Sequence, residues 1–247
     1  MIPKIIHYCW FGRKPLPDLA IKCINSWKKF LPDYEIKEWN EDNFNVNMIP
    51  YTKEAYAAKK YAFVSDYARF WILYKYGGIY FDTDVEVIKN IDDIILKGPF
   101  MGLENNSDNQ KIANVAPGLG LGVNSGLSIY KKILNLYESS SFLNNNGSLN
   151  LKTVVEYTTE LLTSYGLEEK DEIQFIEGIW IYPKEYFCPI DYKTKKYIET
   201  KNTRTIHHFA ASWLPKEPIL PYMVRKYMGE KVLSVLVKIK KCLNFKK

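Results

Sequence analysis

The sequence lacks the features of several large protein classes. Its four cysteines lie far apart, with no C-x-x-C pair, so neither a disulfide scaffold nor structural zinc is predicted and a reducing compartment is favoured. No apolar run approaches the roughly 18 residues of a membrane span, and residues 1–12 do not have the pattern of a secretory signal. With no internal repeat or clear linker, residues 1–216 are predicted to form one domain.

Excess charge is concentrated near the end of the chain. The formal net charge is +6; residues 222–247 carry +7, which leaves residues 1–221 at −1. A body without a basic face argues against a nucleic-acid-binding protein. Residues 217–247 are predicted to form a basic amphipathic helix. Two interpretations stay open for this helix: it packs on its own domain, or it binds an anionic membrane surface.

Strand-like and helix-like segments alternate along the chain, as expected of an α/β protein with a parallel sheet. The double glycine Gly77-Gly78 is predicted to end the longest helix and to start a strand. Helices are predicted over residues 18–31, 54–76, 125–138 and 152–165, and strands over residues 4–10, 34–39, 79–87, 173–182 and 203–207.

Two carboxylates, Asp82 and Asp84, form a D-x-D motif in the predicted strand after the double glycine. Because side chains alternate along a strand, both carboxylates are predicted to point the same way, with Cα atoms about 6.6 Å apart. Such a pair at a strand end suits a hard divalent cation, which can neutralise a diphosphate. A D-x-D is short enough to occur by chance, so its meaning depends on the residues around it.

Two further clusters accompany the D-x-D motif. Asp66 and Arg69 are i, i+3 neighbours on the predicted helix, either as a surface ion pair or as a site for phosphate and sugar oxygens. His207 and His208, two of the three histidines, end a predicted strand. An imidazole added to carboxylates favours Mn²⁺, with Mg²⁺ as the alternative ion.

Three segments taken together resemble the D-x-D glycosyltransferases grouped as family thirty-two. They are IPKIIHYCWFG at residues 2–12, SDYARFWILYKYGGIYFDTDVE at 65–86 and TIHHFAASW at 205–213. The family includes bacterial capsule and lipopolysaccharide sugar transferases and fungal mannosyltransferases, and is distantly similar to the glucosyltransferase domains of large bacterial toxins. The resemblance implies a GT-A type nucleotide-sugar-binding fold, a Rossmann-like mixed sheet flanked by helices, with metal-dependent, retaining sugar transfer.

The resemblance also implies roles for individual residues. Asp82, Asp84 and Arg69 form the implied catalytic set, in which Asp84 ligates the metal directly and Asp82 contacts it through water. His208 is preferred as the metal-binding imidazole and His207 is the alternative, because only one of two neighbours on a strand faces the site. A loose match of the glycine-rich segment 118–124 adds Asn114 and Asn124 as donor-binding candidates. The other implied donor-binding residues are Trp10, which would stack on the base, and Ser65, Asp66, Arg69, Asp82, Ser212 and Trp213.

The expected function is transfer of a hexose or N-acetylhexosamine from a UDP-sugar to a glycan or lipid-linked acceptor. By family analogy, the product would be a surface polysaccharide such as capsule, O-antigen or lipopolysaccharide, made on the cytoplasmic face of the bacterial inner membrane. One alternative is a sugar-binding module whose abundant aromatic residues, 15% of the chain, stack on sugars. A phosphotransferase of the haloacid-dehalogenase type is the other, although its motif carries Thr or Val where this chain has Glu86.

Overall fold

The structure, a computed structural model, describes residues 1–104, 114–191 and 196–210. The predicted helix over 217–247 and the predicted site residues Ser212 and Trp213 lie outside these ranges, so the boundary proposed at residue 216 stays a prediction. The strands are β1 (Ile5–Cys9), β2 (Glu35–Trp39), β3 (Gly78–Tyr80), β4 (Val85–Val87), β5 (Phe100–Glu104), β6 (Asn114–Val115), β7 (Leu121–Val123), β8 (Gln174–Ile176), β9 (Ile179–Tyr182) and β10 (Thr205–His207). The helices are α1 (Asp18–Phe30), α2 (Pro50–Ala57), α3 (Tyr61–Tyr76), α4 (Asp92–Ile95), α5 (Ser128–Glu138), α6 (Val154–Ser164) and α7 (Lys184–Phe187).

One mixed sheet organises the described residues, with strand order β2-β1-β3-β7-β5-β9-β8 and β6 paired to β5. β1 is parallel to β2 and β3, β5 is parallel to β9, and β7 runs antiparallel between β3 and β5. Strands β1, β2, β3, β5 and β9 therefore point the same way and end at one side, called the carboxyl edge below. Because an apolar core lies on each face of this sheet, the predicted α/β fold with a mixed, helix-flanked sheet is confirmed.

The helix predicted over 54–76 is two helices. α2 ends before Lys59, whose φ of 57° lies in the left-handed region, and α3 begins at Tyr61. In α3, Phe63, Tyr67 and Phe70 are buried as the helical spacing predicts, and Gly77 with φ of 66° ends the helix. Within the described ranges, no helix has both the length and the apolar character needed to cross a bilayer.

The strand predicted over 79–87 is wrong in its centre. The chain forms β3 and β4 with a turn between them, closed by a hydrogen bond from the Val85 amide to the Asp82 carbonyl at 3.1 Å. β3 stays in the main sheet, whereas β4 leaves it and pairs antiparallel with β10. Asp82 and Asp84 therefore lie in the turn, and the strand alternation that would point them the same way does not apply.

Candidate functional site

Arg69 and two carboxylates form a buried cluster where β3 ends. The guanidinium Nη2 lies 2.9 Å from Oδ1 of Asp66, and both terminal nitrogens face the Asp82 carboxylate at 3.3 Å. The Arg69 side chain is 4% exposed and its Cζ lies 4.9 Å from the centre of the Tyr80 ring. Tyr80 in turn donates a hydrogen bond from its hydroxyl to Asp82 at 3.1 Å. The i, i+3 pair is thus part of a buried network and not a surface ion pair.

Burial and charge act against each other in this cluster. Burial raises the pKa of Asp66 to about 7, although Arg69 favours the ionised form. The negative charge of Asp82 adds to the rise. Burial disfavours the charged guanidinium, but Asp82, Tyr80 and Asp66 hold the pKa of Arg69 above its usual value. Arg69 therefore stays charged and fixes the Asp82 carboxylate at the carboxyl edge.

Gly118 keeps Asp82 in place from the opposite side. The Asp82 amide donates to the Gly118 carbonyl at 3.1 Å. A Cβ atom at residue 118 would lie 2.1 Å from Oδ2 of Asp82 and 3.4 Å from Nη1 of Arg69. Only glycine leaves room for the Asp82 carboxylate in its observed position. The glycine-rich segment thus supports the site through its backbone.

Asp84 pairs with His207. Nε2 of His207 lies 3.3 Å from Oδ1 of Asp84, and the Ala210 amide donates to Oδ2 at 2.8 Å. The pKa of His207 rises to about 10: burial opposes the charge, but the hydrogen bond to Asp84 outweighs it. The pKa of Asp84 is lowered in spite of its burial, because His207 and the Ala210 amide stabilise the carboxylate. Asp84 and His207 therefore form an ion pair at neutral pH, and a cation bound at Nε2 of His207 would have to displace its proton.

The other histidine faces away from the D-x-D motif. Nε2 of His208 lies 2.8 Å from Oε2 of Glu86, which also accepts a hydrogen bond from Lys22 at 2.7 Å. His208 was the preferred metal ligand in the sequence, but the structure brings the alternative, His207, to Asp84. The register of β10 with β4 sets His207 opposite Val85, and the next residue, His208, donates its amide to the Asp84 carbonyl at 3.0 Å. Since Asp84 lies in the turn and not in the strand, its carboxylate reaches His207 and not the residue opposite it.

The Asp84–His207 pair has the spacing of two of the ligands of a divalent cation. Neighbouring ligands of an octahedral ion at about 2.1 Å lie about 3 Å apart, close to the separation of these two atoms. Across residues 1–104, 114–191 and 196–210, no group of three or more His, Cys, Asp or Glu side chains has metal-binding geometry. At this pair the described residues offer two possible ligand atoms, a number that would suit an ion such as Mg²⁺ or Mn²⁺ with its other ligands from water and phosphate.

Trp10 lies at the same edge, just after β1. Its indole Nε1 donates to the Lys14 carbonyl at 2.6 Å, which fixes the ring beside a cleft of about 290 Å³. Because β1 and β3 are adjacent parallel strands, this cleft and Asp82 lie at the ends of neighbouring strands. The cleft is lined by Trp10, Arg13, Lys14, Pro15, Glu38, Asn40, Glu41 and Asp42.

The remaining candidates fall in different places. Ser65 donates its hydroxyl to the Tyr61 carbonyl at 3.2 Å within α3, one turn from Arg69. Asn124 does not lie at the site: β7 runs antiparallel to β3, so the residue after β7 is at the opposite edge of the sheet, and it is exposed. Asn114 is buried in β6 opposite Glu104 of β5. The sequence motifs do not predict Tyr80 as a site residue, although its position two residues before Asp82 could have indicated it.

Comparison with models of protein families indicates the class of protein that this chain resembles. Residues 17–101 match the model described as the glycosyltransferase sugar-binding region containing the DXD motif. That range includes α3, the Arg69 cluster and the D-x-D turn. The match confirms the resemblance to D-x-D sugar transferases that the sequence motifs carry.

Individual relatives then extend the likeness. A segment of 98 residues is 34% identical to an inositol phosphoceramide mannosyltransferase of the fission yeast Schizosaccharomyces pombe, and covers 38% of this chain and 27% of that protein. This chain therefore matches only about a quarter of that relative's length. An uncharacterised glycosyltransferase of Acanthamoeba polyphaga mimivirus is 29% identical over 202 residues, which cover 76% of this chain and 78% of that one. Among solved structures, the PaToxG glycosyltransferase is 22% identical over 66% of this chain and 69% of its own, with a TM-score of 0.49.

Proposed function

We propose that this protein is a metal-dependent glycosyltransferase that moves a sugar from a nucleotide sugar to a glycan acceptor. The observation that carries the proposal is the turn between β3 and β4, where Asp82 and Asp84 have different partners. The buried Arg69 holds the partly exposed Asp82 in a bidentate pair, and His207 pairs with Asp84. The turn lies within the family match of residues 17–101.

Sugar transfer places specific demands on such a site. Cleavage of the bond between the anomeric carbon and the diphosphate leaves negative charge on the diphosphate and positive charge on the ring. A divalent cation, held by Asp84 and His207, would neutralise that negative charge. Asp82 is fixed by Arg69, Tyr80 and the Gly118 backbone, so its carboxylate can accept hydrogen bonds from ribose or sugar hydroxyls without rearranging. Ser212 and Trp213, outside the described residues, are proposed donors to the diphosphate.

The position of Trp10 supports a base-binding role for the cleft beside it. An indole fixed by a hydrogen bond at the end of β1 offers a flat surface next to the strand that carries Asp82. We propose a UDP-hexose or UDP-N-acetylhexosamine as donor, with retention of anomeric configuration. Attack on the same face as the departing diphosphate is the corresponding stereochemical course.

Surface-polysaccharide synthesis is the proposed biological role, with the enzyme on the cytoplasmic face of a bacterial inner membrane. Its support is the family analogy and the basic, amphipathic pattern of residues 217–247 in the sequence. Co-sedimentation with anionic liposomes tests the membrane part: removal of residues 222–247 should abolish pelleting. Equal pelleting of the full and shortened chains contradicts it.

A donor panel tests the enzymatic proposal directly. Purified protein is incubated with nucleotide sugars in Mn²⁺, in Mg²⁺ and in chelator, and release of nucleoside diphosphate is measured together with nucleotide binding by calorimetry. Metal-dependent cleavage of one UDP-sugar would establish the reaction and name the donor. If no nucleotide sugar is cleaved and no nucleotide binds in the presence of metal, the proposal is wrong and a sugar-binding module takes its place.

A further inference from the structure

Glu104, which no motif in the sequence singles out, ends β5 at the carboxyl edge. In the order β1-β3-β7-β5, this strand lies three positions from β1, or about 14 Å at about 4.8 Å per strand. Trp10, Asp82 and Glu104 thus follow one another along one edge. A nucleotide sugar with its base at Trp10 and its diphosphate beside Asp84 would extend its sugar towards Glu104.

Charge interactions also connect Glu104 with the Arg69 cluster and with the Asp84–His207 pair. Burial raises the pKa of the Glu104 carboxyl, attraction from His207 lowers it, and repulsion from Asp82 raises it again. Glu104 also raises the pKa of Cys188, which His207 lowers. The carboxylate is therefore close enough to sense the Arg69 cluster on one side and the Asp84–His207 pair on the other.

Glu104 and its cross-strand neighbour keep hydrogen-bonding capacity that residues 1–104, 114–191 and 196–210 do not use. Glu104 pairs directly with Asn114 across the antiparallel β5–β6 ladder, so the two side chains share one face of the sheet. Asn114 is 8% exposed, and its Nδ2 has no hydrogen-bond partner. Within the described residues, the groups that act on the Glu104 carboxyl are the charges of His207 and Asp82, and neither is a hydrogen-bond partner. Buried polar groups normally have partners, so an acceptor beside a donor, neither used by the described residues, points to a ligand.

We propose that Glu104 and Asn114 bind hydroxyl groups of the sugar that is transferred and restrict the donor to a neutral sugar. This inference rests on the proposed function and deepens it. A carboxylate accepts from hydroxyls while an amide nitrogen donates to them, so the pair is complementary to adjacent sugar hydroxyls. A uronic acid would bring a second negative charge near Glu104 and Asp82, which disfavours its binding.

Calorimetry on the full chain tests the inference without requiring turnover. In saturating Mn²⁺, the ratio of Kd for UDP to Kd for the UDP-hexose that the panel identifies measures what the sugar contributes. Glu104→Gln should lower this ratio about tenfold, the effect of one charge-assisted hydrogen bond, and leave the Kd of UDP unchanged. The matched control is Glu35→Gln, an exposed residue at the other edge of the same sheet, which should change neither value.

The outcomes separate this inference from the proposed function. Absence of UDP binding by the unaltered protein defeats the proposed function. Normal UDP binding with an unchanged ratio in Glu104→Gln overturns only the inference, as does a variant that loses UDP binding itself. UDP-glucuronic acid should bind more weakly than UDP-glucose, and Glu104→Gln should narrow that difference. If Glu104→Gln does not fold, Asn114→Asp, which replaces the amide donor by an acceptor, should lower the same ratio.

Discussion

The main sheet and the two-stranded β4–β10 sheet hold a histidine in opposite charge states. His7, inside the sheet on β1, is 1% exposed and has a pKa lowered to about 4, mainly by burial. Its Nε2 donates to the Gly77 carbonyl at 3.0 Å and its Nδ1 accepts from the Trp39 indole at 3.1 Å. His207, beyond the carboxyl edge, is also largely buried, but its pKa rises to about 10 through Asp84.

The difference lies in the partners and not in burial alone. Neutral partners satisfy both nitrogens of His7, so the ring is uncharged and serves packing. The Asp84 carboxylate faces His207, so the His207 imidazole stays protonated although burial alone would favour its neutral form. Groups of the second kind are expected to change activity when altered, and groups of the first kind to change stability.

The largest expected effect is at Asp84. Asp84→Asn removes the carboxylate that pairs with His207 and that would hold the cation, so donor cleavage should fall by at least about 10³-fold. Initial rates across a Mn²⁺ titration measure this effect. Asp33→Asn, at an exposed residue paired with Lys4, is the matched control and should keep full activity. An unaltered rate with an unaltered Mn²⁺ dependence in Asp84→Asn would contradict a direct role for this carboxylate, whereas recovery only at high Mn²⁺ would indicate weakened metal binding.

Arg69 belongs to both categories because it is buried and also fixes Asp82. Arg69→Lys keeps the charge but loses the bidentate geometry, so kcat/KM should fall about 10²-fold and the free energy of unfolding by about 1–3 kcal/mol. Steady-state kinetics and urea unfolding measure the two effects. Arg204→Lys loosens an ion pair with Asp93 and the bonds to the Lys201 and Asn202 carbonyls, so it should also lower the free energy of unfolding by about 1–2 kcal/mol, with no loss of activity. Equal losses of kcat/KM in Arg69→Lys and Arg204→Lys would show that Arg69 has only a structural role.

Local patterns predicted the helical part of the site, and long-range pairing decided the rest. The 3.6-residue period placed Asp66 and Arg69 together on α3, and Gly77 marked the end of that helix. The turn at Asp82–Asp84 could not be read from residues 79–87, because it arises where β4 leaves the main sheet to pair with β10. The same pairing, between residues more than a hundred positions apart, brings both histidines to this turn, and the turn conformation directs the Asp84 carboxylate to His207. The antiparallel direction of β7 removes Asn124 from the site for a similar reason.

Gly118 tests whether the position of Asp82 matters apart from its charge. A Cβ atom in Gly118→Ala would collide with Oδ2 of Asp82 and push the carboxylate away from Arg69. Since a displacement of about 1 Å can cost up to about 10²-fold, kcat/KM should fall by roughly 10-fold or more. The free energy of unfolding should fall by no more than the about 1–3 kcal/mol expected for Arg69→Lys, because the displaced atom ends a side chain. A large loss of stability with unchanged kcat/KM in the folded fraction would contradict a positioning role.

His7 should have the smallest effect on activity and a distinct effect on stability. In the unfolded state the His7 imidazole has its ordinary pKa of about 6.5. In the folded state its pKa is about 4. Between these values the unfolded state binds more protons, so stability falls as pH falls. A change from pH 7.5 to pH 5.5 should therefore lower the contribution of His7 to the free energy of unfolding by roughly 1 kcal/mol.

Urea unfolding of the unaltered protein and of His7→Gln at both pH values isolates this contribution, because the other titrating groups cancel in the difference. His7→Gln should be less stable at pH 7.5 yet lack this pH dependence, and an identical dependence in both proteins would mean that His7 is not held neutral by the fold.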